Sequence, residues 1–149
     1  MPCLGSKTYD PATAATKGTV ASAMAAFDTT NSRITFTVPS TGRVFFRVKA
    51  QIHGAITFSQ FLLGVMNGAT VVARVTPQGS ILGTALATTL VPIEASGTIE
   101  GLTAGASVTW DSAWACETFV TGSLIKYGGP NNTTANDAFG ALLFEVWDA

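Results

Sequence analysis

Two runs of alternating residues near the middle of the first half of the chain constrain the fold more than any other feature. Every second residue of segment 34–38 is apolar, and the same is true of segment 44–52. Successive side chains of a β-strand point to opposite faces, so a period of two predicts two strands that each bury one face. The Pro-Ser-Thr-Gly sequence at 39–42 separates the runs and predicts a turn between them.

Strand and turn signals continue to the end of the chain. Asn67-Gly68 separates two apolar runs and predicts a tight hairpin, because both residues tolerate a positive φ. Segment 108–116 alternates again, turn residues recur roughly every ten positions, and no window has a sustained helical period. The sequence therefore predicts an all-β protein, either an antiparallel sandwich or a jelly roll.

The first 26 residues differ in character from the rest. They are small, polar and weakly patterned, which predicts an amino-terminal arm that is either flexible or ordered only against a neighbour. Residues 27–149 carry the strand signals and are predicted to form the jelly-roll domain.

Few residues of the chain are charged. Charged residues make up 11% of the 149 positions, against about 25% in a typical soluble domain, and apolar residues make up 47%. Either Thr, Ser and Gly cover a β-rich monomer, or part of the surface is shared with partners, and the size of the deficit favours shared surface. The net charge of −1 argues against general binding of nucleic acid or acidic membranes. The uncharged stretch 54–73 is interpreted as a hairpin rather than a membrane span.

The last predicted strand, residues 139–147, is apolar on both faces. An antiparallel strand usually leaves one face in water, so the second face must be covered by the arm or by another subunit. We favour the subunit. The residues predicted to form this interface are Phe139, Ala141, Leu143 and Trp147.

Half of the eight basic residues fall within seventeen positions, with no acidic residue among them: Arg33, Arg43, Arg47 and Lys49. A nucleic-acid site would require a larger positive excess and exposed stacking aromatics, for which Phe45 alone is weak support. We interpret the four residues as the polar face of two neighbouring strands, at or near a contact with another protein subunit.

Residues with catalytic or ligand-binding chemistry form no recognisable motif. The single histidine, His53, has no nucleophile motif near it and is interpreted as structural, and Asp111 is expected to be a solvated strand position. The segment Asn131–Asp137 could offer oxygen ligands to calcium, but an Asn-rich turn explains it more simply. Cys3 and Cys116 lack metal-ligand spacing, and no disulfide is expected in a chain that opens without an export signal. The sequence thus predicts no enzyme, no metal and no cofactor.

Segment 27–48, "FDTTNSRITFTVPSTGRVFFRV", resembles the aromatic signature of the globular head of the first complement component, a relative of tumour necrosis factor. Val44 stands where that family more often has an aromatic residue. Segments 102–110, "LTAGASVTW", and 137–146, "DAFGALLFEV", follow in the family's order. The residues that match the signature are Phe27, Phe36, Gly42, Phe46 and Val48. The resemblance implies a ten-strand jelly roll that forms tight trimers, with the terminal strand near the threefold axis.

The amino-acid sequence of this segment is also similar to sequences of compact single-domain proteins encoded among bacteriophage structural genes. The Gly-x-y stalk that accompanies such heads in animals is missing from the sequence. We therefore expect a homotrimeric virion protein, assembled in the bacterial cytoplasm and located on the particle surface. The favoured role is capsid decoration, with the major capsid protein or other virion proteins as partners. The alternative is the receptor-binding head of a tail or head fibre, or a minor tail protein, that recognises a cell-surface glycan.

Overall fold

The structure, a computed structural model, describes residues 1–18, 23–54, 59–77, 89–130 and 138–149. These residues form strands and connecting turns, with no helix among them. The strands, in chain order, are β1 (Cys3–Tyr9), β2 (Ala15–Lys17), β3 (Ala25–Ala26), β4 (Arg33–Thr37), β5 (Val44–Gly54), β6 (Gln60–Asn67), β7 (Thr70–Val75), β8 (Thr89–Ile99), β9 (Ser107–Thr118), β10 (Leu124–Tyr127) and β11 (Leu142–Asp148).

One of the two sheets, here called the front sheet, is organised around the long strand β5. One edge of β5 pairs with β8 over its whole length. The other edge pairs with β11 along residues 44–49 and with β10 along residues 51–53. β1 extends the sheet beyond β11, and β2 extends it beyond β10.

The second sheet, the back sheet, is organised around β9. One edge of β9 pairs with β6, which in turn pairs with β7, while β3 and β4 share its other edge. All strand pairs in both sheets are antiparallel. The prediction of an all-β protein built as an antiparallel sandwich is confirmed.

The core lies between the sheets and is built from the alternating residues that predicted the strands. Every second residue of β5, from Val44 to Ile52, is buried, and so are Trp110 and Trp114 of β9. The rings of Phe36 and Trp110 meet edge to face with centroids 4.9 Å apart, which is a favourable geometry for aromatic pairs.

A buried tyrosine closes one end of this core. The Tyr127 ring lies 5.9 Å from the rings of both Tyr9 and Phe27. Burial, with the nearby charges of Asp28 and Tyr9, raises the pKa of Tyr127 to about 12, so the phenol stays neutral at physiological pH. Tyr9 belongs to the segment predicted as an arm. Because its ring packs against Tyr127, this segment contributes to the core of its own chain.

The segment predicted as an arm contains three strands of the two sheets. β1 pairs with β11, β2 with β10, and β3 with β9. These are edge strands, and an edge strand needs few apolar residues because much of its surface is solvated. Of β1, only Leu4 and Tyr9 pack against the core, which explains why its sequence lacks a clear period of two.

The predicted hairpin is present as β6 and β7, with a shift in its turn residues. Asn67 is the last residue of β6 and pairs with Thr70, so the two connecting residues are Gly68 and Ala69. Gly68 has a φ of 58° and Ala69 has no positive φ, the pattern of a type II′ turn.

Candidate functional site

The outer face of the front sheet carries large apolar side chains next to charged ones, which is unusual for the solvent side of a sandwich. Three cross-strand pairs between β11 and β5 point outward, because their chain neighbours point into the core. We call these six residues the open face: Leu143 opposite Lys49, Glu145 opposite Arg47, and Trp147 opposite Phe45.

An ion pair occupies the centre of the open face. The Arg47 Nε and Nη2 atoms lie 2.8 Å and 2.6 Å from the same carboxylate oxygen, Oε2 of Glu145. The Glu145 side chain is only 12% exposed, so the pair is shielded more than a typical surface pair. The second carboxylate oxygen, Oε1, has no hydrogen-bond partner within the part of the chain that the structure describes.

Next to the ion pair, the open face is indented. A groove of about 310 Å³ is lined by the paired aromatic residues Phe45 and Trp147, the Arg47–Glu145 pair and the exposed Met1. Two aromatic rings beside a pair of charged hydrogen-bonding groups can either pack against another protein surface or hold a small polar molecule.

The charges at the open face are balanced. Lys49 lies opposite Glu94 of β8, and Arg47 is paired with Glu145, so two cations and two anions share this part of the sheet. Lys126 of β10 lies farther along the same outer face, opposite Gln51. A neutral face does not repel a second copy of itself, whereas a nucleic-acid site requires a positive surplus.

All four residues predicted for a subunit interface lie on the outer side of the front sheet, but only three of them are exposed there. Leu143 and Trp147 belong to the open face and are half-buried, and Ala141 precedes β11 with the same outward parity. Phe139 differs, because it is only 7% exposed within the single chain. Its ring packs against His53, with centroids 5.2 Å apart.

The four predicted basic residues are not brought together as one face. Arg33 lies on β4 in the back sheet, so only Arg47 and Lys49 share the open face. Arg43 precedes β5 and pairs with Glu100 at 3.1 Å. The carboxylates that neutralise these cations come from strands far along the chain, which is why the basic run looked unpaired in the sequence.

The expectation that Asp111 is solvated is wrong. Its side chain is 2% exposed and accepts two hydrogen bonds from Arg33. The Nε atom donates to Oδ1 at 2.7 Å, and the Nη2 atom donates to Oδ2 at 2.8 Å. This bonding and the negative charge of Asp111 raise the pKa of Arg33. Beside it, the hydroxyls of Ser32 and Ser112 bond to each other in a buried position. The cluster is structural, because it satisfies buried polar groups at the junction of β4 and β9.

Removing Arg33 should therefore destabilise the protein more than removing the whole ion pair. We expect Arg33→Met to lower the melting temperature clearly, since it leaves the buried Asp111 carboxylate without a partner, and the double variant Arg33→Met/Asp111→Leu to recover most of the loss. Arg43→Met is the matched control, because both members of its pair are exposed and little change is expected. If the double variant melts no higher than the single variant, the ion pair is not what makes Arg33 important.

The cysteines and the other candidate ligand residues complete the set drawn from the sequence. Both cysteines are free, Cys3 exposed and Cys116 buried, and burial raises the pKa of the Cys116 thiol, which disfavours the reactive thiolate. Among the described residues, no three His, Cys, Asp or Glu side chains converge as metal ligands. The segment Asn131–Asp137 lies outside the described residues. Nor does the described part of the chain include a helix with the length and apolar character to cross a bilayer.

Comparisons with known proteins add no assignment. No family model matches the chain, and no curated protein matches it.

Proposed function

We propose that this protein is a homotrimeric jelly roll and a structural component of a bacteriophage virion, most simply a capsid decoration protein. The observation that carries the proposal is the open face, which exposes part of Phe45, Leu143 and Trp147 around a neutral charge pattern. A single chain gains nothing from leaving such side chains in water, whereas three copies that bury them gain stability.

The strand order supports the jelly roll. Eight principal strands divide into β1, β11, β5 and β8 in one sheet and β4, β9, β6 and β7 in the other. The chain changes sheet six times: from β2 to β3, β4 to β5, β5 to β6, β7 to β8, β8 to β9 and β9 to β10. Two antiparallel four-strand sheets with repeated crossings of this kind are typical of a jelly roll.

The position of the apolar residues supports assembly through the front sheet. Leu143 and Trp147 lie on β11, which sits beside β5 in the interior of this sheet rather than at its edge. A broad face in the interior of a sheet suits a closed threefold ring, in which each copy packs against its two neighbours around the axis.

A decoration role suits a compact trimer. A trimer that sits at a threefold or quasi-threefold point of a shell can contact several capsid subunits at once, and each weak contact then benefits from a high effective concentration. Because such binding favours the assembled shell, it stabilises the particle by mass action.

Two measurements test the proposal in sequence. Light scattering of the purified chain should give three times the 15.4 kDa mass of one chain. Quantitative mass spectrometry of purified particles should then find hundreds of copies per virion. A stable monomer at high concentration would reject the trimer. A trimer present in only a handful of copies would reject decoration and favour a tail or fibre location.

The groove on the open face supports a second candidate, a head that binds a cell-surface glycan. The ring of Trp147 offers a flat apolar surface of the kind that stacks on a pyranose, and Phe45 adjoins it. The Oε1 atom of Glu145, which Arg47 does not use, can accept a hydrogen bond from one hydroxyl, and the outer N–H groups of Arg47 can donate to another. A neutral sugar with neighbouring hydroxyls fits this chemistry.

The two candidate functions predict different exposure of Trp147 in the intact assembly: it is covered in the decoration trimer and accessible in the glycan-binding head. Tryptophan fluorescence can distinguish these states. Trp110 and Trp114 are 1% and 5% exposed, so in an isolated chain only Trp147 should be quenched by iodide. We expect little quenching in the trimer, since subunit contact covers Trp147, and a quenchable fraction that appears when the trimer is dissociated. Trp147→Phe is the control, because it removes that fraction. Strong quenching of the intact assembly, together with glycan-array binding that Trp147→Ala abolishes, would instead establish the glycan head.

A further inference from the structure

A short segment before β11 is fastened to the outer face of the front sheet, beyond the open face. The amide of Phe139 donates to the Gly128 carbonyl at 2.8 Å, and the amide of Gly140 donates to Oε1 of Gln51 at 2.8 Å. A Cβ atom at position 140 would lie 2.7 Å from the Gln51 Nε2 atom, so a larger residue there would displace the Gln51 side chain that holds the latch. We call residues 138–140 the latch.

The latch rests on the only histidine of the chain. The Phe139 ring meets the His53 ring edge to face, and the Lys126 ammonium lies 5.1 Å from the centre of the same Phe139 ring. The Nε2 atom of His53 is buried and has no hydrogen-bond partner among the described residues. A neutral imidazole tolerates this position, since one of its nitrogens needs no proton. A protonated imidazole would place an N–H group and a positive charge there without an acceptor.

Among the described residues, the charged groups around His53 give a cation no compensation. On the neighbouring strand β10 the nearest charge is Lys126, which is positive, and latch residues 138–140 carry none. Asp137, which precedes the latch in the sequence, lies outside the described residues. On β5 the outward neighbour is Gln51, which is neutral. On β8 the closest described charge is Glu94, opposite Lys49, about 13 Å along the strand from His53. Protonation of His53 therefore adds a second cation beside Lys126 and buries it.

We propose that the latch is a pH-sensitive element, closed while His53 is neutral and released when His53 takes up a proton. Release would free Phe139 and the start of β11, and it would expose the outward side chains of Gln51 and His53. The proposal does not depend on the proposed function, because every contact in it lies within one chain.

The sign of the pH dependence follows from the surroundings of the imidazole. Burial, with a smaller effect of the Lys126 charge, lowers the pKa of His53 below its ordinary value of 6.5. A group whose pKa is lower in the closed state stabilises that state above the ordinary value, and the stabilisation is lost as the pH falls. Below pH 6.5, the ratio of open to closed latch should therefore rise by up to about tenfold per pH unit, until the closed-state pKa is reached.

Nuclear magnetic resonance of the full chain tests the proposal, because a single histidine gives an unambiguous signal. We expect the His53 imidazole to titrate below pH 6.5 and the Gly140 amide to shift with the same midpoint. In His53→Gln, which cannot take up a proton, the Gly140 amide should become independent of pH in this range. In Lys126→Met, the His53 midpoint should move up towards 6.5, because one repelling charge is gone.

Two results would overturn the proposal. One is a Gly140 amide that does not respond while His53 titrates. The other is a pH response of Gly140 that persists in His53→Gln, since another group would then control it. If His53→Gln fails to fold, Lys126→Met still decides when both signals are followed in it, because a Gly140 midpoint that differs from the His53 midpoint of the same variant shows that His53 does not control the latch.

Discussion

Leu143→Asp is expected to convert the proposed trimer into folded monomers. Leu143 lies on the open face between Thr8 and Lys49 of the neighbouring strands, so it points away from the core and, in the proposed trimer, would face another subunit. A carboxylate taken out of water there costs several kcal/mol. The threefold contact would contain three of them, which at about 3 kcal/mol each cost about 9 kcal/mol and shift the trimer dissociation constant by many powers of ten.

The monomer should survive this change, which makes the result interpretable. In the isolated chain, the new carboxylate is partly exposed to water and lies opposite Lys49, which can pair with it. Leu143→Lys is a useful second variant, since it repels Lys49 instead and should dissociate the trimer as well. Thr37→Asp is the matched control, because Thr37 is exposed at the end of β4 in the back sheet.

Light scattering and circular dichroism measure the two outcomes separately. Both Leu143 variants should show the mass of one chain with an unchanged β spectrum, and Thr37→Asp should keep the mass of the unmodified protein. A Leu143→Asp protein that remains trimeric would move the interface away from the open face. The reverse pattern, in which Thr37→Asp alone dissociates the protein, would assign the contact to the back sheet.

The strands that pack against each other could be predicted from the sequence because burial leaves a period of two. β5 is the clearest case, since residues 44–52 bury every second side chain on one face. The β6–β7 hairpin was recognisable for a local reason, because Gly68 supplies a positive φ that other residues adopt at a cost. In both cases the physical cause lies within a few residues of the pattern.

Features that depend on distant neighbours could not be predicted in this way. β1 becomes a strand because β11 offers it an edge, not because of its own composition. Asp111 is buried because Arg33, 78 residues earlier, reaches it across a strand pair. The open face could be predicted only in part. The apolar residues on both faces of the last strand indicate a covered outer surface, but the ion pair between Arg47 and Glu145 depends on the register of β5 and β11.

Gly54→Ala is expected to be the most destabilising single-methyl change in the protein. Gly54 ends β5 with a φ of 143°, a backbone conformation that residues with a side chain rarely adopt. A Cβ atom there would also overlap the carbonyl oxygen of Gly122, which is backbone and cannot rotate away. Strain of about 1–3 kcal/mol and a forced backbone shift of similar size suggest a loss of about 3–5 kcal/mol.

Gly105→Ala separates the cost of the backbone conformation from the cost of the atomic overlap. Gly105 also has a positive φ, 78°, but no atom lies within 4 Å of the place where its Cβ would be. It therefore measures conformational strain without overlap, and we expect a loss of about 1 kcal/mol, or about 3 °C in melting temperature for a chain of this length. For Gly54→Ala the corresponding decrease is about 10 °C or more.

Both glycine variants should be compared in a monomeric background such as Leu143→Asp, because the melting temperature of an oligomer depends on protein concentration. Equal losses for Gly54→Ala and Gly105→Ala would mean that the Gly122 carbonyl moves aside at no cost, so that only the backbone conformation requires glycine. A much larger loss for Gly54→Ala would establish that the end of β5 is held against the turn before β10 by backbone contact. That contact fixes the end of β5 at which His53 lies, so the same variant should also shift the His53 titration midpoint towards the 6.5 of a solvated imidazole. A midpoint that stays unchanged despite a large loss of stability would separate the position of His53 from the packing at Gly54.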